Sequence, residues 1–142
     1  MDERVVPVLP GVEWEPNEPR AVLVQDDRGR ACLALAAHFA DPDDRCVVFV
    51  WTGCHRVVMG SPNDEALDRH RLYGTGLQEL LWTGEVEGSS WIEELAAMAA
   101  RPPAKHYVVP TKEAVIEVVA DDIAVLRLDG PTADAALEAL AS

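Results

Sequence analysis

Short apolar runs divided by polar turns dominate the first part of the chain. Residues 5–9 alternate around Pro7, whose missing N–H is tolerated at a sheet edge, so this run predicts an edge strand. Apolar runs at 21–24 and 31–36 flank the Asp-Asp-Arg-Gly turn at 26–29 and predict a β-hairpin. The second run is rich in Ala and Leu and could also form a helix, but the turn favours a strand.

The most apolar segment lies in the middle of the chain. Residues 46–51 are apolar on both faces and largely β-branched, which is typical of a buried central strand. Gly53 interrupts the pattern before it resumes at 55–59, so these residues form either one long strand with a glycine bulge or two strands. A further apolar run at 80–86 predicts another strand.

The clearest helical pattern begins at Ser90. Ser90 can cap the helix, and Glu93, three residues later, completes a capping box. Prolines at 102 and 103 end the pattern, so the sequence predicts a main helix over about 90–100. Its apolar positions share one face, which comprises Trp91, Leu95 and Met98.

Strand-like runs return in the last third of the chain. Runs at 106–109, 114–119 and 123–128 are separated by a Pro-Thr-Lys turn and by Asp121-Asp122, which predicts three strands in an antiparallel meander. An Ala-rich stretch at 132–140 predicts a short final helix that packs weakly.

Together these elements predict an α+β fold in a single domain over residues 1–142. We expect an antiparallel, strongly twisted sheet of about six to eight strands, which could curl into a half-barrel. The main helix covers this sheet, with short helices near 62–72 and 132–140. Strands grouped before and after one helix argue against an alternating βαβ architecture.

Composition and charge limit the possible binding partners and the cellular location of the protein. The formal net charge of −13 argues against binding to nucleic acid or to an anionic membrane, because both require clustered Lys and Arg. No apolar run approaches the roughly 20 residues that span a bilayer, and the acidic start lacks a signal-peptide pattern, so we expect a cytoplasmic protein. Abundant Ala, Val, Asp, Pro and Arg with few Lys indicate a bacterial source. The cysteines are expected to be reduced thiols: Cys32, Cys46 and Cys54.

The segment 60–74 gathers more polar chemistry than any other. Ser61 can cap a helix, Pro62 suits its first position, and Asp64 lies near its positive end. Glu65 can form a surface ion pair with the arginine four residues later. These structural roles account for most of the charges in the segment.

Four side chains of the segment remain without such a role: Asn63, His70, Arg71 and Tyr73. A histidine on an apolar helix face is most often a satisfied boundary residue. The functional alternative is a polar pocket in which His70 acts as acid, base or ligand donor, with a carboxylate from Asp64 or Glu65. The candidate ligand-binding residues are therefore Asn63, Asp64, Glu65, His70, Arg71 and Tyr73.

Other catalytic patterns find less support in the sequence. Cys54 and His55 are neighbours, and neighbouring side chains on a strand point to opposite faces. The histidines lack paired metal-ligand spacing, so no metal site is predicted. No cofactor is predicted either, because the sequence has no phosphate loop, dinucleotide fingerprint or Gly-x-Ser-x-Gly elbow.

The run Gly-Ser-Pro-Asn-Asp-Glu-Ala at 60–66, followed by His-Arg-Leu-Tyr at 70–73 and Gly76-Leu77, resembles a motif of a family of short uncharacterised bacterial proteins. The Ser-Ser-Trp-Ile helix start at 89–92 is similar to theirs. So are His106-Tyr107-Val108, Thr111-Lys112-Glu113 and Glu117-Val118, and the resemblance spans residues 50–120, about half the chain. The family implies no activity for this chain.

Three functional hypotheses follow from the sequence. The favoured one is a small non-enzymatic binding module whose small-molecule or protein ligand contacts a rim around Asn63, His70 and Tyr73. The enzymatic alternative is a small hydrolase or isomerase that uses His70 with Asp64 or Glu65. The third is an acidic, immunity-type interaction protein that binds a basic partner through its charge.

Overall fold

The computed structural model describes residues 2–98 and 104–142. Its strands are β1 (Arg4–Pro7), β2 (Val22–Gln25), β3 (Arg30–Leu35), β4 (Cys46–Gly60), β5 (Gly84–Glu87), β6 (Lys105–Pro110) and β7 (Val115–Leu128). Its helices are α1 (Ser90–Met98) and α2 (Thr132–Ala141). Short 3₁₀ segments span Asp64–Arg69, Tyr73–Thr75 and Leu77–Glu79. All seven strands form one antiparallel sheet in the order β1-β5-β6-β7-β4-β3-β2, which confirms the predicted α+β fold.

The two longest strands, β4 and β7, pair along their length in the middle of the sheet. β4 is one strand with a register shift between Cys54 and Arg56, so the glycine bulge is the correct alternative. The predicted break at Asp121-Asp122 is wrong, because β7 runs through both residues. Next to the register shift of β4, His55 Nε2 lies 2.9 Å from Asp121 Oδ1. The carboxylate of Asp121 thus has a hydrogen-bond partner on the neighbouring strand, and the strand continues where the sequence suggested a turn.

The edge strand around Pro7 and the first hairpin agree with the sequence prediction. β1, which contains Pro7, is one edge strand, and β2 forms the other edge in a hairpin with β3. β1 and β2 do not pair with each other, so the sheet is open. The strand predicted at 80–86 begins only at Gly84, because Trp82 packs onto Trp14 with ring centroids 5.0 Å apart.

The predicted capping box at Ser90 is wrong by one residue. Ser89 is the cap of α1, since its Oγ accepts a hydrogen bond from the Ile92 N–H at 3.3 Å. Gly88 has a φ of 68°, which favours glycine, and it turns the chain between β5 and α1 so that Ser89 precedes the first helical turn. The predicted end of the helix at 99–103 lies outside the described residues.

Helix α2 packs closely against β3 and β4, so the prediction of weak packing was wrong. Three of its alanines are fully buried against the sheet, and their small side chains let the helix approach closely: Ala135, Ala136 and Ala139. Arg30 of β3 donates hydrogen bonds to backbone carbonyls at the helix end, namely those of Ala139, Leu140 and Ser142. These bonds satisfy carbonyls that a helix end leaves without partners.

Alternation along the strands divides the core between the two faces of the sheet. One face carries an aromatic core around Trp14, Phe49 and Trp51, with Ile116 and Val118 of β7. On the opposite face, α2 covers β3 and β4, while the 3₁₀ segments cover a second apolar cluster: Val5, Leu72, Leu77, Val86, Val108 and Val115. The cysteines are free thiols, as predicted, and no helix in the described residues is long and apolar enough to cross a membrane.

Candidate functional site

A buried carboxylate lies at the centre of the opposite face. Glu117 stands between Ile116 and Val118 on β7, and these neighbours belong to the aromatic core. Strand alternation therefore points Glu117 away from that core, toward the 3₁₀ segments and α1. Only 5% of its side chain is exposed. A charge buried to this degree requires partners.

Three side chains from two other parts of the chain supply those partners. Arg71 makes a bidentate contact, with Nη1 2.8 Å from Oε2 and Nη2 2.7 Å from Oε1 of Glu117. His70 Nε2 lies 3.2 Å from Oε2, and His106 Nε2 on β6 lies 2.9 Å from Oε1. Burial alone would raise the pKa of Glu117, but the hydrogen bonds from His106, His70 and Arg71 outweigh it and hold that pKa well below its usual range.

The hydrogen bonds at the other ring nitrogens indicate which tautomer each histidine adopts. The Leu72 backbone N–H donates to His70 Nδ1 at 3.1 Å, so His70 carries its proton on Nε2 and donates it to Glu117. His106 donates from Nε2 to Glu117, and in a neutral imidazole this leaves Nδ1 as an acceptor 2.6 Å from Ser89 Oγ. In that tautomer the Ser89 hydroxyl donates to His106, and this pair extends the chain of bonds to the start of α1.

Trp91 covers one side of this network. Its ring stacks on that of His106, with centroids 4.5 Å apart and planes within 9°. The guanidinium carbons of Arg56 and Arg71 lie 3.9 and 4.4 Å from its centroid, which is the geometry of cation–π contacts. A small cavity of about 170 Å³ adjoins the ring, between β4 and α1. Leu95 and the exposed Met98 share this cavity with Trp91, so the predicted apolar face of α1 is only partly covered.

The structure brings together some of the predicted site residues and separates others. His70 and Arg71 meet at Glu117, and the half-buried Tyr73 donates its N–H to the His70 carbonyl at 3.0 Å. Asp64 and Glu65 are exposed, so the carboxylate that His70 contacts is Glu117 and not the predicted Asp64 or Glu65.

Asn63 has a structural role that the sequence assigned to Ser61. Its Oδ1 accepts a hydrogen bond from the Ala66 N–H at 3.2 Å, so it caps the first 3₁₀ segment. Ser61 and Pro62 precede that cap, and their predicted positions as cap and first helical residue are wrong. The side chain of Asn63 is thus used within the fold.

Sequence reasoning missed Ser89, His106 and Glu117 as members of one network. The sequence did contain one sign of the network. Glu117 lies in a strand that is otherwise apolar, between Val115-Ile116 and Val118-Val119, and a charge buried in such a strand requires partners. The partners could not be found in the same way, because they come from three other elements. Within residues 2–98 and 104–142, no group of three His, Cys, Asp or Glu side chains is arranged to hold a metal ion.

A second candidate is a surface groove of about 360 Å³, called the aromatic groove here, which is lined by Trp14, His38, Leu67, Leu80, Leu81 and Trp82. His38 meets the Trp82 ring edge-on at 6.0 Å between centroids and stacks on Phe39 at 4.6 Å. Phe39 and Leu81 are 80% and 78% exposed. Asp64 and Lys112 lie at the rim, where the Asp64 N–H donates to the Lys112 carbonyl at 2.8 Å.

Comparisons with known proteins give no assignment. No family model matches the chain, and no significant match was found among curated proteins or among solved structures. Function is therefore inferred from the two sites themselves.

Proposed function

We propose that the protein is a binding module that docks a protein partner in the aromatic groove. The observation that supports this most directly is the exposure of Phe39 and Leu81, at 80% and 78%, beside the groove. Because His38 stacks on Phe39 and contacts Trp82, these side chains form one continuous patch. Exposed apolar patches with a polar rim are typical of protein interaction sites.

The charge of the chain favours a basic partner. Asp64 and Lys112 both line the groove, and further acidic residues stand one or two positions along the chain from lining residues: Glu13, Glu15, Glu65 and Glu79. The net charge of −13 would attract a basic segment and repel a second copy of the chain. The fitting occupant is therefore a Lys- or Arg-containing segment that places an apolar side chain in the groove beside Leu81 and Trp82.

The polar segment 60–74 supports one wall of this groove. Asn63 caps the 3₁₀ segment that carries Asp64 and Leu67, both of which line the groove. At the other end of the segment, His70 and Arg71 anchor the chain to Glu117 on β7. On this proposal the predicted rim residues position the binding surface, and Asp64 is the one that faces the ligand.

The hydrolase or isomerase hypothesis requires His70 to contact Asp64 or Glu65, and His70 contacts neither of them. Asp64 and Glu65 face solvent, whereas His70 donates to Glu117, which Arg71 also holds. A base for general acid–base chemistry has to lie within hydrogen-bonding reach of its partner. No observation favours His70 as a catalyst with either of the two exposed acids.

The test is selection of peptides from a displayed library on the wild-type protein, followed by affinity measurements with variants. Selected peptides should combine Lys or Arg with a large apolar residue, and their affinity should fall steeply as salt is raised. Leu81→Ser and Phe39→Ser should each weaken binding by about tenfold or more, because both remove apolar anchors.

Leu137→Ser is the matched control, since Leu137 is also an exposed leucine but lies on α2. It should leave affinity unchanged. Equal binding of the selected peptides to the wild type and to the Leu81→Ser/Phe39→Ser double variant would overturn the proposal. So would a library that yields only acidic or uncharged sequences.

A further inference from the structure

The turn between β5 and α1 places a serine in an unusual setting. Ser89 follows Gly88 at a sharp strand-to-helix turn, and only 4% of the residue is exposed. A serine nucleophile is commonly held at such a turn, next to a base that takes its proton. In this chain the base would have to be His106, whose Nδ1 lies 2.6 Å from Ser89 Oγ.

The bonds beyond His106 prepare it for that role. Glu117 accepts the Nε2 proton of His106 at 2.9 Å and thereby keeps the Nδ1 lone pair directed at the serine. This is the arrangement of a nucleophile, a base and an orienting carboxylate, with the two ring nitrogens exchanged relative to the usual serine triad. The stacked Trp91 ring fixes the imidazole plane.

Two donors stand beside the serine where a negatively charged oxygen could bind. The backbone N–H and the hydroxyl of Ser90 both donate to Glu3 Oε2, at 2.9 and 3.1 Å. Donors at about 2.7–3.1 Å from a developing oxyanion are what acyl transfer requires. Because the Glu3 carboxylate, from the segment just before β1, accepts from both Ser90 donors, an oxyanion would have to displace it to bind them.

We propose that Ser89, His106 and Glu117 form an acyl-transfer centre whose oxyanion donors on Ser90 are blocked by Glu3. This activity is independent of the aromatic groove. A cavity of about 260 Å³ lined by Gly88, Ser89, Ile92, Glu85 and Lys105 adjoins the serine, and it has room for a short acyl group. The substrate class that fits is a small carboxylic ester.

The reaction proceeds by two conventional acyl transfers. Ser89 Oγ bonds to the ester carbonyl carbon while its proton passes to His106 Nδ1, and the carbonyl oxygen becomes an oxyanion held by Ser90. Collapse breaks the bond to the leaving alkoxide, which takes the proton from Nδ1 and departs as an alcohol. Water then repeats both steps, so that the products are a carboxylic acid and free Ser89.

A fluorophosphonate probe tests the proposal, because it forms a stable bond with an activated serine. Wild type and Glu3→Ala should be incubated with the probe, and the modified residue should be identified by peptide mass mapping. We expect an adduct on Ser89 that forms at least about tenfold faster in Glu3→Ala, since removing Glu3 frees the oxyanion donors. Glu94→Ala, which removes an exposed acid of the same helix that does not line this cavity, should label at the wild-type rate.

His106→Gln and Glu117→Gln should lower the labelling rate of Ser89 in the Glu3→Ala background. If Glu3→Ala does not fold, as judged by circular dichroism, Glu3→Val gives the same comparison, because valine also lacks an acceptor for the Ser90 donors. A folded Glu3→Ala or Glu3→Val protein without an adduct on Ser89 overturns the proposal. Equal labelling of Ser61 and Ser89 overturns it too, because Ser61 is exposed and has no such network.

Discussion

Arg71 and Glu117 form a bidentate ion pair between the segment that follows the first 3₁₀ turn and the centre of β7. Its two N–O distances are 2.8 and 2.7 Å, and Glu117 is almost fully buried whereas Arg71 is 41% exposed. Arg71→Ala should lower the free energy of unfolding by about 2 kcal/mol, less than for a fully buried pair because solvent screens the arginine.

Urea unfolding of Arg71→Ala and Arg69→Ala checks this expectation. Arg69 is an exposed arginine of the same segment, and its removal should change stability by less than about 0.5 kcal/mol. Equal losses in the two variants would show that the Arg71–Glu117 pair contributes no more than a surface charge.

The lowered pKa of Glu117 makes its contribution to stability depend on pH. A carboxylate whose pKa is lower in the folded state than in the unfolded chain stabilises the fold above the unfolded value, and the contribution is lost as pH falls below it. Glu117→Gln should therefore be less stable than wild type at pH 7 by about 3 kcal/mol, since it also leaves buried donors without a charged acceptor.

The difference between the two proteins should narrow as the pH is lowered through the ordinary glutamate range. Unfolding free energies from urea titrations at pH 7 and pH 4 give the comparison. Glu113→Gln is the control, because Glu113 is exposed just before β7 and should show no such difference at either pH. If the difference in unfolding free energy between wild type and Glu117→Gln were the same at both pH values, the ionised Glu117 carboxylate could not be its cause.

Much of the sheet could be predicted because its signals are local. Pro7 indicated an edge strand, the turn at 26–29 indicated a hairpin, and the apolar run at 46–51 indicated a central strand. The errors arose where tertiary contacts override a local signal. Asp121 suggested a turn, yet its bond to His55 on β4 lets the strand continue, and the weak pattern of α2 gave no sign that alanines would fit closely against the sheet.

The site was harder to predict than the fold because it is assembled from distant parts of the chain. His70 and Arg71 were recognised as residues without a structural role, but their carboxylate is Glu117, more than forty residues later. Neighbouring acids such as Asp64 were the wrong partners, since a sequence shows proximity along the chain only. Nothing in the sequence assigned a role to Ser89, because a cap at Ser90 already explained the start of the helix, whereas the actual cap is Ser89.

Gly76 lies where the segment 60–80 crosses β1, and its substitution tests the packing of that crossing. Its φ of 125° is rare for residues with a side chain, and an added Cβ would collide with the backbone carbonyl of Val5. Gly76→Ala should therefore lower the free energy of unfolding by about 2 kcal/mol or more. Gly74→Ala is the matched control, because open space surrounds Gly74, and it should cost less than about 1 kcal/mol.

Burial raises the pKa of the Cys54 thiol to about 11, and it raises the pKa values of Cys32 and Cys46 as well. A thiol with a raised pKa stays protonated at pH 8, and the protonated form is a poor nucleophile. We expect all three cysteines to react slowly with a disulfide reagent at pH 8 in the native protein and rapidly in urea. Cys54 should be the first to react in the native state, because it is only half-buried. Rapid native labelling of Cys32 or Cys46, located by mass mapping, would contradict the close packing of α2 on β3 and β4.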